Sequence, residues 1–151
     1  MICNSSGIAP FRGFLQHQHH HISSKSESPA PFNKMILFFG ARHRSVDYIF
    51  QDEIEYLASE CTLTAVFEAF SRDDTKKVYV QDILETKKDM VNRILFKNKG
   101  VLYLCGSNSM IRDCLEVVRE LFRQIKGTQE EGDILFEQTK QNGNIIFEGW
   151  G

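Results

Sequence analysis

The sequence predicts an α/β domain in three layers, in which a doubly wound, mostly parallel β-sheet lies between two layers of helices. The first observation is the apolar run 101–105, which is bounded by glycines and is typical of a strand buried on both faces. The second is the small-residue stretch 107–109, which can cap the amphipathic helix that follows. The third is that strand, turn and helix recur in this order, as in βαβ units.

Composition and charge limit the possible classes of protein. A chain of 151 residues with 42% hydrophobic residues is expected to form one domain with its own core. No apolar run approaches the ~20 residues of a membrane span, so we expect no membrane insertion. The net charge of -2 argues against a general role in nucleic-acid binding. The four cysteines show no zinc-ligand spacing, which favours reduced thiols in a cytoplasmic protein.

The first half of the chain is expected to contain three strands and two helices. Pro10 falls in the first turn of the first helix, where its missing N–H breaks no hydrogen bond. Asp47 is expected to cap the second helix at its N-terminus. The strands are predicted at residues 1–3, 35–39 and 63–70, and the helices at 8–16 and from 47 to about 59.

Residues 17–32 are polar and contain two prolines, which predicts a surface loop. His17, His19, His20 and His21 lie in this segment, and on a helix His17 and His21 would share one face. No carboxylate or thiol partner lies near them in the sequence. We therefore interpret the segment as a solvated, histidine-rich loop and expect no metal site.

The second half is expected to contain two more strands and the remaining helices. Gly106 is predicted in the turn after the fourth strand, and Gly127 at the C-terminal cap of the next helix. Thr128 and Glu131 form a capping-box pattern for the last helix. The helices are predicted at 83–97 with a break near Glu85, after 109 and after 128, and the strands at 101–105 and 144–147. The order β-α-β-α-β-α-β-α-α-β predicts a Rossmann-like sheet.

A basic cluster is expected at the carboxyl ends of the second and third strands. Arginine and serine donors suit a phosphate group, and an arginine after either strand marks the adenosine ribose phosphate in dinucleotide folds. A charged surface loop is the alternative, and the spacing alone does not separate the two. The cluster consists of Arg42, Arg72, Lys76 and Lys77, with Ser71 beside them and Tyr79 close by. Arg44 is a second guanidinium expected at the carboxyl end of the second strand.

Two further residues have both a functional and a structural interpretation. Cys105 ends the fourth strand, where ligands bind in such sheets, but a buried cysteine is more often inert. Trp150, the single tryptophan, could fill the core or form an aromatic plate over a ligand ring. The residues themselves leave both alternatives open.

Five segments of the chain occur in the order that is found in one known family. They are Ser-Gly-Ile-Ala-Pro-Phe-Arg-Gly-Phe-Leu-Gln (6–16), Leu-Phe-Phe-Gly (37–40), Ala-Phe-Ser-Arg-Asp (69–73), Lys-Val-Tyr-Val-Gln (77–81) and Tyr-Leu-Cys-Gly (103–106). With the tryptophan next to the end, the chain resembles the NADPH-binding domain of the diflavin reductases. These are cytochrome P450 reductase, the reductase half of nitric oxide synthase and sulfite reductase flavoprotein, within the ferredoxin–NADP reductase superfamily.

The resemblance implies roles at the adenosine and phosphate end of NADPH. Ser71, Arg72 and Lys77 would hold the 2′-phosphate, Tyr79 would stack on adenine and Gln81 would lie nearby. Arg42 would face the phosphate groups. The turn with Ser5, Ser6 and Gly7 would cradle the pyrophosphate.

At the nicotinamide end the resemblance implies a second group of residues. Cys105 would line the nicotinamide site, with Gly106 and Ser107 as neighbouring cofactor-binding positions. Trp150 would correspond to the terminal aromatic residue that covers the flavin and yields to nicotinamide. Glu148 would correspond to an aspartate close to the hydride path.

The sequence departs from the family pattern in several places. The usual Gly-Pro-Gly-Thr-Gly turn reads Cys-Asn-Ser-Ser-Gly at residues 3–7, an Arg-Tyr pair is replaced at 144–145, and Ser107 replaces an acidic residue. We expect Cys3 and Ser5 to crowd the pyrophosphate and to weaken binding by ~10-fold or more, although Asn4 tolerates the left-handed region and the Ser5 and Ser6 hydroxyls can donate to phosphate. Restoring glycine at Cys3 and Ser5 should then tighten binding.

These observations predict that residues 1–151 form an NADP(H)-binding domain whose first strand is truncated and from which the flavin-binding domain is missing. Hydride would pass to a flavin on another domain or chain, so FAD and FMN are expected only there, and the chain alone is expected to be redox-inactive. The alternative is a degenerate Rossmann-like domain that binds nucleotide weakly or not at all and has a regulatory or interaction role.

Overall fold

The computed structural model describes residues 1–24 and 34–151. The strands are β1 (Ile2–Asn4), β2 (Ile36–Ala41), β3 (Ala65–Phe70), β4 (Leu102–Ser107) and β5 (Ile145–Trp150). The helices are α1 (Ala9–Ser23), α2 (Arg44–Asp47), α3 (Gln51–Ser59), α4 (Val80–Thr86), α5 (Lys88–Asn92), α6 (Asn108–Lys126) and α7 (Gln129–Gln141). A 3₁₀ turn (Ser5–Ile8) precedes α1, and a π-helical turn (Arg93–Lys97) follows α5.

The described strands form one sheet in the order β3-β2-β1-β4-β5, and every neighbouring pair is parallel. From β1 the chain winds outward to β2 and β3, and then crosses back to place β4 and β5 on the other side of β1. The doubly wound sheet predicted from the sequence is therefore confirmed. The strand order reverses between β1 and β4, and the crevice at the carboxyl ends of these strands is where such sheets bind ligands.

Side chains of neighbouring positions in β1 enter two separate hydrophobic cores, because successive residues of a strand point to opposite faces. Ile2 belongs to the core that includes Val118 and Phe122 of α6 and Phe136 of α7. Cys3 belongs to the core that includes residues of α1 and α3 on the other face. The predicted three layers are thus present, with α1 and α3 on one face and α4, α6 and α7 on the other.

Helix α1 extends beyond its predicted end at residue 16 and continues to Ser23. The prediction of a loop from residue 17 is therefore wrong for residues 17–23, and residues 25–32 of that segment lie outside the described residues. Gln18 continues the buried face of Leu15, and its Nε2 donates to the carbonyl oxygen of Thr62 at 3.1 Å. This contact anchors the second half of the helix to the segment before β3.

The predicted N-cap role of Asp47 is also wrong. Asp47 is the last residue of the short helix α2, and its Oδ2 accepts a hydrogen bond from the His43 N–H at 2.9 Å. The longer helix α3 begins only after Phe50, which has a φ of 61°. A short helical turn therefore lies between β2 and α3, directly beside the carboxyl end of β2.

Gly106, which was expected in a turn, and Gly40, which directly follows the predicted strand 35–39, both lie inside strands. Gly40 and Gly106 pair within β2 and β4, and β5 runs on to Trp150 rather than ending at residue 147. The helix that was predicted at 83–97 begins at Val80 and breaks at Lys87. Because these strands are longer than predicted, the side chains at their carboxyl ends lie within the sheet and not in loops beyond it.

The capping signals near α6 and α7 are confirmed. Ser107 Oγ accepts from the Met110 N–H at 3.4 Å, and Gly127 ends α6 with a φ of 80°. Thr128 Oγ1 accepts from the Glu131 N–H at 3.3 Å at the start of α7. In the described ranges, no helix combines the length and the apolar character that crossing a membrane requires.

Candidate functional site

A cleft of about 790 Å³ opens at the carboxyl ends of the strands, at the point where the strand order reverses. Its volume is within the range of small-molecule and cofactor sites. The ends of β1, β2 and β4 form its floor, and residues 71–81 together with the start of α6 form its walls. The sheet topology thus creates the cleft, and the strand-end residues determine its chemistry.

One wall of the cleft carries positive charge. Backbone hydrogen bonds join the loops after β2 and β3, from the Ser71 N–H to Ala41 at 3.0 Å and from the Arg72 N–H to Arg42 at 2.9 Å. Arg42, Ser71, Arg72 and Lys77 consequently line one wall. Within the described part of the chain, none of these three cations forms an ion pair with a carboxylate. The wall therefore offers charge and hydrogen-bond donors to an anionic ligand.

Asp73 fastens these two loops together from outside the cleft. Its Oδ2 accepts from the Arg44 N–H at 3.0 Å, and its Oδ1 lies 3.2 Å from His43 Nδ1. The Arg44 guanidinium pairs with Glu68 and lies over the Phe70 ring at 4.3 Å. Of the two arginines expected at the end of β2, only Arg42 therefore lines the cleft.

The aromatic and amide groups of the cleft follow this basic wall. Tyr79 is 44% exposed, and its backbone N–H donates to Asp82 Oδ2 at 2.8 Å, which fixes the start of α4. Its ring is thus held at the rim by the helix that it precedes. Gln81 Nε2 lies 3.4 Å from Asp113 Oδ2 of α6, which joins the two walls of the cleft.

Asn4 bridges the strands at the point of reversal. Its Oδ1 accepts from the Ser107 N–H at 3.0 Å, and its Nδ2 donates to Ser107 Oγ at 3.1 Å. Gly106 is needed beside it, because a Cβ at this position would collide with Asn4 Oδ1. The side chain of Asn4 therefore closes the floor of the cleft between β1 and β4.

The far end of the cleft is formed by β4 and the edge strand β5. The register pairs Cys105 with Glu148 and Ser107 with Trp150. Burial raises the pKa of the Cys105 thiol, and the Glu148 carboxylate raises it further, so this residue is a neutral thiol. Trp150 lines the cleft and is 42% exposed. An aromatic plate thus stands at the opposite end from the basic wall.

Residues 1–116 match the family model of the oxidoreductase NAD-binding domain. The chain belongs to this NAD-binding domain family. The matched region contains both walls of the cleft and β1 to β4, so the family assignment covers most of the site that the fold creates.

The NAD-binding domain is also similar to segments of larger proteins. It is 37% identical over 143 residues to inducible nitric oxide synthase of Gallus gallus, covering 93% of this chain and 12% of that protein. It is 37% identical over 134 residues to NADPH–cytochrome P450 reductase of Drosophila melanogaster, and this match covers 88% of this chain and 19% of that protein. It is 29% identical over 143 residues to the probable sulfite reductase [NADPH] flavoprotein component of Schizosaccharomyces pombe, and this match covers 95% of this chain and 14% of that protein. The chain thus spans only a small part of each relative.

The structure brings most of the predicted site residues of the NAD-binding domain into the cleft. They are Ser5, Arg42, Ser71, Arg72, Lys77, Tyr79, Gln81, Ser107 and Trp150. The others lie around it: Ser6 and Glu148 are exposed, whereas Gly7, Cys105 and Gly106 are buried. Lys76, from the predicted basic cluster, is exposed and does not line the cleft.

The structure corrects the expected position of Cys3 in the 3–7 turn and shows which residue of the turn has positive φ. Cys3 is a fully buried residue of β1 that packs in the core, and burial raises the pKa of its thiol strongly. It therefore does not face the cleft. Asn4 has an extended φ of -130°, and the positive φ, 49°, belongs to Ser5. Only Ser5 thus combines a strained backbone with a position at the cleft.

This geometry predicts opposite effects for the two glycine substitutions. Ser5→Gly should raise the free energy of unfolding by about 1 kcal/mol, because glycine adopts positive φ without the Cβ penalty. Cys3→Gly should lower it by about 2 kcal/mol, because it removes a buried side chain from a central strand. Urea denaturation of the two variants checks both values. A stabilising Cys3→Gly substitution would contradict the buried position of Cys3.

Several cleft residues were not predicted from the sequence. Asn4, Asp47 and Asp113 line the cleft together with the apolar Met110 and Val80. Asn4 had a usable signal, because it directly follows a buried strand at the expected carboxyl edge. Asp113 had none, since its position beside Gln81 depends on how α6 packs against α4.

Proposed function

We propose that residues 1–151 act as one nucleotide-binding domain that holds NADPH in the cleft and presents its nicotinamide to a flavin on another domain or chain. The observation that carries this proposal is the asymmetry of the cleft. A basic wall with Arg72 and Lys77 stands at one end, and Trp150 stands at the other. A dinucleotide with a phosphorylated ribose at one end and a flat ring at the other is complementary to both.

The basic wall fits the 2′-phosphate of NADPH. A phosphate monoester has about two negative charges near neutral pH, and charge-assisted hydrogen bonds to it are worth about 1.5–3 kcal/mol each. Arg72, Lys77 and Ser71 supply three such donors, and Arg42 supplies another guanidinium. Tyr79 lies next to them with an exposed ring on which adenine can stack. We therefore place the adenosine end of the nucleotide against residues 71–79.

The opposite end of the cleft suits the nicotinamide ring. When bound, NADPH supplies a hydride to an acceptor. Cys105 contributes a neutral, buried thiol below this position, so it adds no negative charge there. Ser107 is held by Asn4, and Trp150 stands beside it in the neighbouring strand. These residues orient a flat ring at the edge of the sheet, where another domain can reach it.

The acceptor side of the reaction is proposed from the relatives. The relative named sulfite reductase [NADPH] flavoprotein component suggests a flavin acceptor, and we propose that FAD and FMN act with this domain through other domains or a partner chain. We propose that the chain alone does not turn over NADPH.

We also propose that the protein acts in a reducing compartment such as the cytoplasm, because the four cysteines are unpaired.

A degenerate domain without nucleotide binding is not favoured. Such a domain has no need to keep Arg42, Arg72 and Lys77 on one wall of an open cleft. Burying or pairing these charges elsewhere would be the simpler arrangement, since grouped like charges repel each other. The family match and the unpaired cations thus support retained binding.

Calorimetric titration of the 151-residue chain with NADPH and with NADH tests the proposal. We expect one site, with NADPH bound more tightly by ~10-fold or more, because only NADPH carries the 2′-phosphate. Adenosine 2′,5′-bisphosphate should compete with NADPH, because it contains the adenosine end alone. Equal affinity for both dinucleotides, or no binding of either, would refute the proposed function.

A further inference from the structure

Four histidines lie in the last two turns of α1, away from the cleft, and two of them face each other. His17 and His21 are one helical turn apart and both are exposed. Their rings lie nearly perpendicular, with centroids 4.4 Å apart. The two Nε2 atoms are 3.1 Å apart. The two Nε2 atoms thus lie within hydrogen-bond distance of each other on the exposed surface of the helix.

The part of the helix that carries this pair is held in place. Gln18 Nε2 donates to the Thr62 carbonyl oxygen at 3.1 Å, and His19 Nδ1 lies 3.0 Å from Thr62 Oγ1. The His19 ring also packs edge-on against Tyr56 at 5.5 Å. His19 therefore serves the attachment of α1 to the rest of the domain. The backbone that carries its neighbours His17 and His21 therefore does not need to rearrange when these two side chains bind a ligand.

The distance between the two nitrogens is that of two ligands on one metal ion. Imidazole nitrogens bind a transition metal at about 2.0–2.1 Å, so two of them at angles of about 90–110° lie about 2.9–3.4 Å apart. The observed 3.1 Å is within this range. Two histidines at i and i+4 on a helix are an established arrangement for a shared ion.

We propose that His17 and His21 form a surface site for a divalent transition-metal ion, with Cu²⁺, Ni²⁺ and Zn²⁺ as the class of ligand. Imidazole nitrogen favours these ions over Mg²⁺ and Ca²⁺, which require oxygen donors. Water completes the coordination, because the described residues contain no group of three or more histidine, cysteine or carboxylate side chains placed to hold a metal. The site therefore exchanges its ion readily and is weaker than a closed structural site.

Calorimetric titration of the whole chain with Ni²⁺ and with Zn²⁺ tests this site. We expect one ion per chain and no binding of Mg²⁺. His17→Gln and His21→Gln should each weaken binding by about 10-fold or more, because each removes one of two protein ligands. Both side chains are exposed, so neither substitution should affect folding. The thiols are present in every variant and serve as an internal control for binding to cysteine.

His20→Gln is the matched control, because it removes a neighbouring exposed imidazole of the same helix. It should change the affinity by about 3-fold or less, since the centroid of its ring is 6.1 Å from that of His21, compared with 4.4 Å between the rings of His17 and His21. Line broadening of the His17 and His21 ring signals by substoichiometric Ni²⁺ in the unmodified protein is the second measurement. Affinity unaffected by either substitution, an equal loss in His20→Gln, or the absence of broadening at His17 and His21 would overturn the assignment.

Discussion

Replacing Gly7 by alanine should destabilise the domain by about 3 kcal/mol, the largest stability effect that we expect from a single methyl group. Gly7 is buried in the 3₁₀ turn that leads into α1. A Cβ at this position would collide with the carbonyl oxygen of Cys105 and lie 2.7 Å from its carbonyl carbon. These are backbone atoms of β4, a central strand, so they cannot move aside as a flexible side chain could. The turn would have to lift away from the sheet.

Gly13→Ala is the matched control for this substitution. Gly13 lies in α1 with no atom within 4 Å of an added Cβ, so alanine should stabilise the helix by about 0.5–1 kcal/mol. Urea denaturation of both variants gives the comparison. A Gly7→Ala variant as stable as the unmodified protein would show that close contact between the turn and β4 is not required.

The two capping patterns between α6 and α7, which act within a few residues of the chain, were predicted correctly from the sequence. Gly127 ends α6 with positive φ, and Thr128 caps α7, because both effects depend only on the adjacent turn. The parallel order of the sheet also followed from local patterns, since strands alternating with helices leave few other topologies. The layers and the main helices could therefore be derived before any contact was known.

The parts that could not be predicted depend on contacts between distant segments. Helix α1 continues through the histidines because Gln18 bonds to Thr62, 44 residues away. Gly106 belongs to a strand, not a turn, and Asn4 fills the space that its missing side chain leaves. Asn4 itself is separated by 103 residues from Ser107, its partner in the floor of the cleft. No local pattern encodes such pairs.

The candidate site shows the same division. Resemblance to the diflavin reductases indicated Arg42, Arg72 and Lys77, and the structure places all three on one wall. Asp73 belongs to the motif 69–73, but the resemblance gave it no role; in the structure it joins the two loops through Arg44 and lies outside the cleft. A residue that positions others has no chemical signature of its own in the sequence.

Arg72→Ala should weaken NADPH binding by about 10- to 100-fold and leave NADH binding almost unchanged. The guanidinium forms no ion pair within the described residues and lines the cleft, so its charge is available to the 2′-phosphate. Loss of one charge-assisted contact costs about 1.5–3 kcal/mol, and each 1.4 kcal/mol is a factor of ten in the dissociation constant. The quantity to compare is the ratio of the NADPH and NADH dissociation constants in calorimetry.

Lys76→Ala controls for the loss of a positive charge as such. Lys76 lies in the same loop and is exposed, but it does not line the cleft, so its charge is screened by solvent. We expect this variant to change NADPH affinity by about 3-fold or less. If Arg72→Ala weakened NADPH and NADH equally, the arginine would act on a group that both dinucleotides share. The 2′-phosphate would then have to lie elsewhere in the cleft, although the proposal that the cleft binds the dinucleotide would still hold.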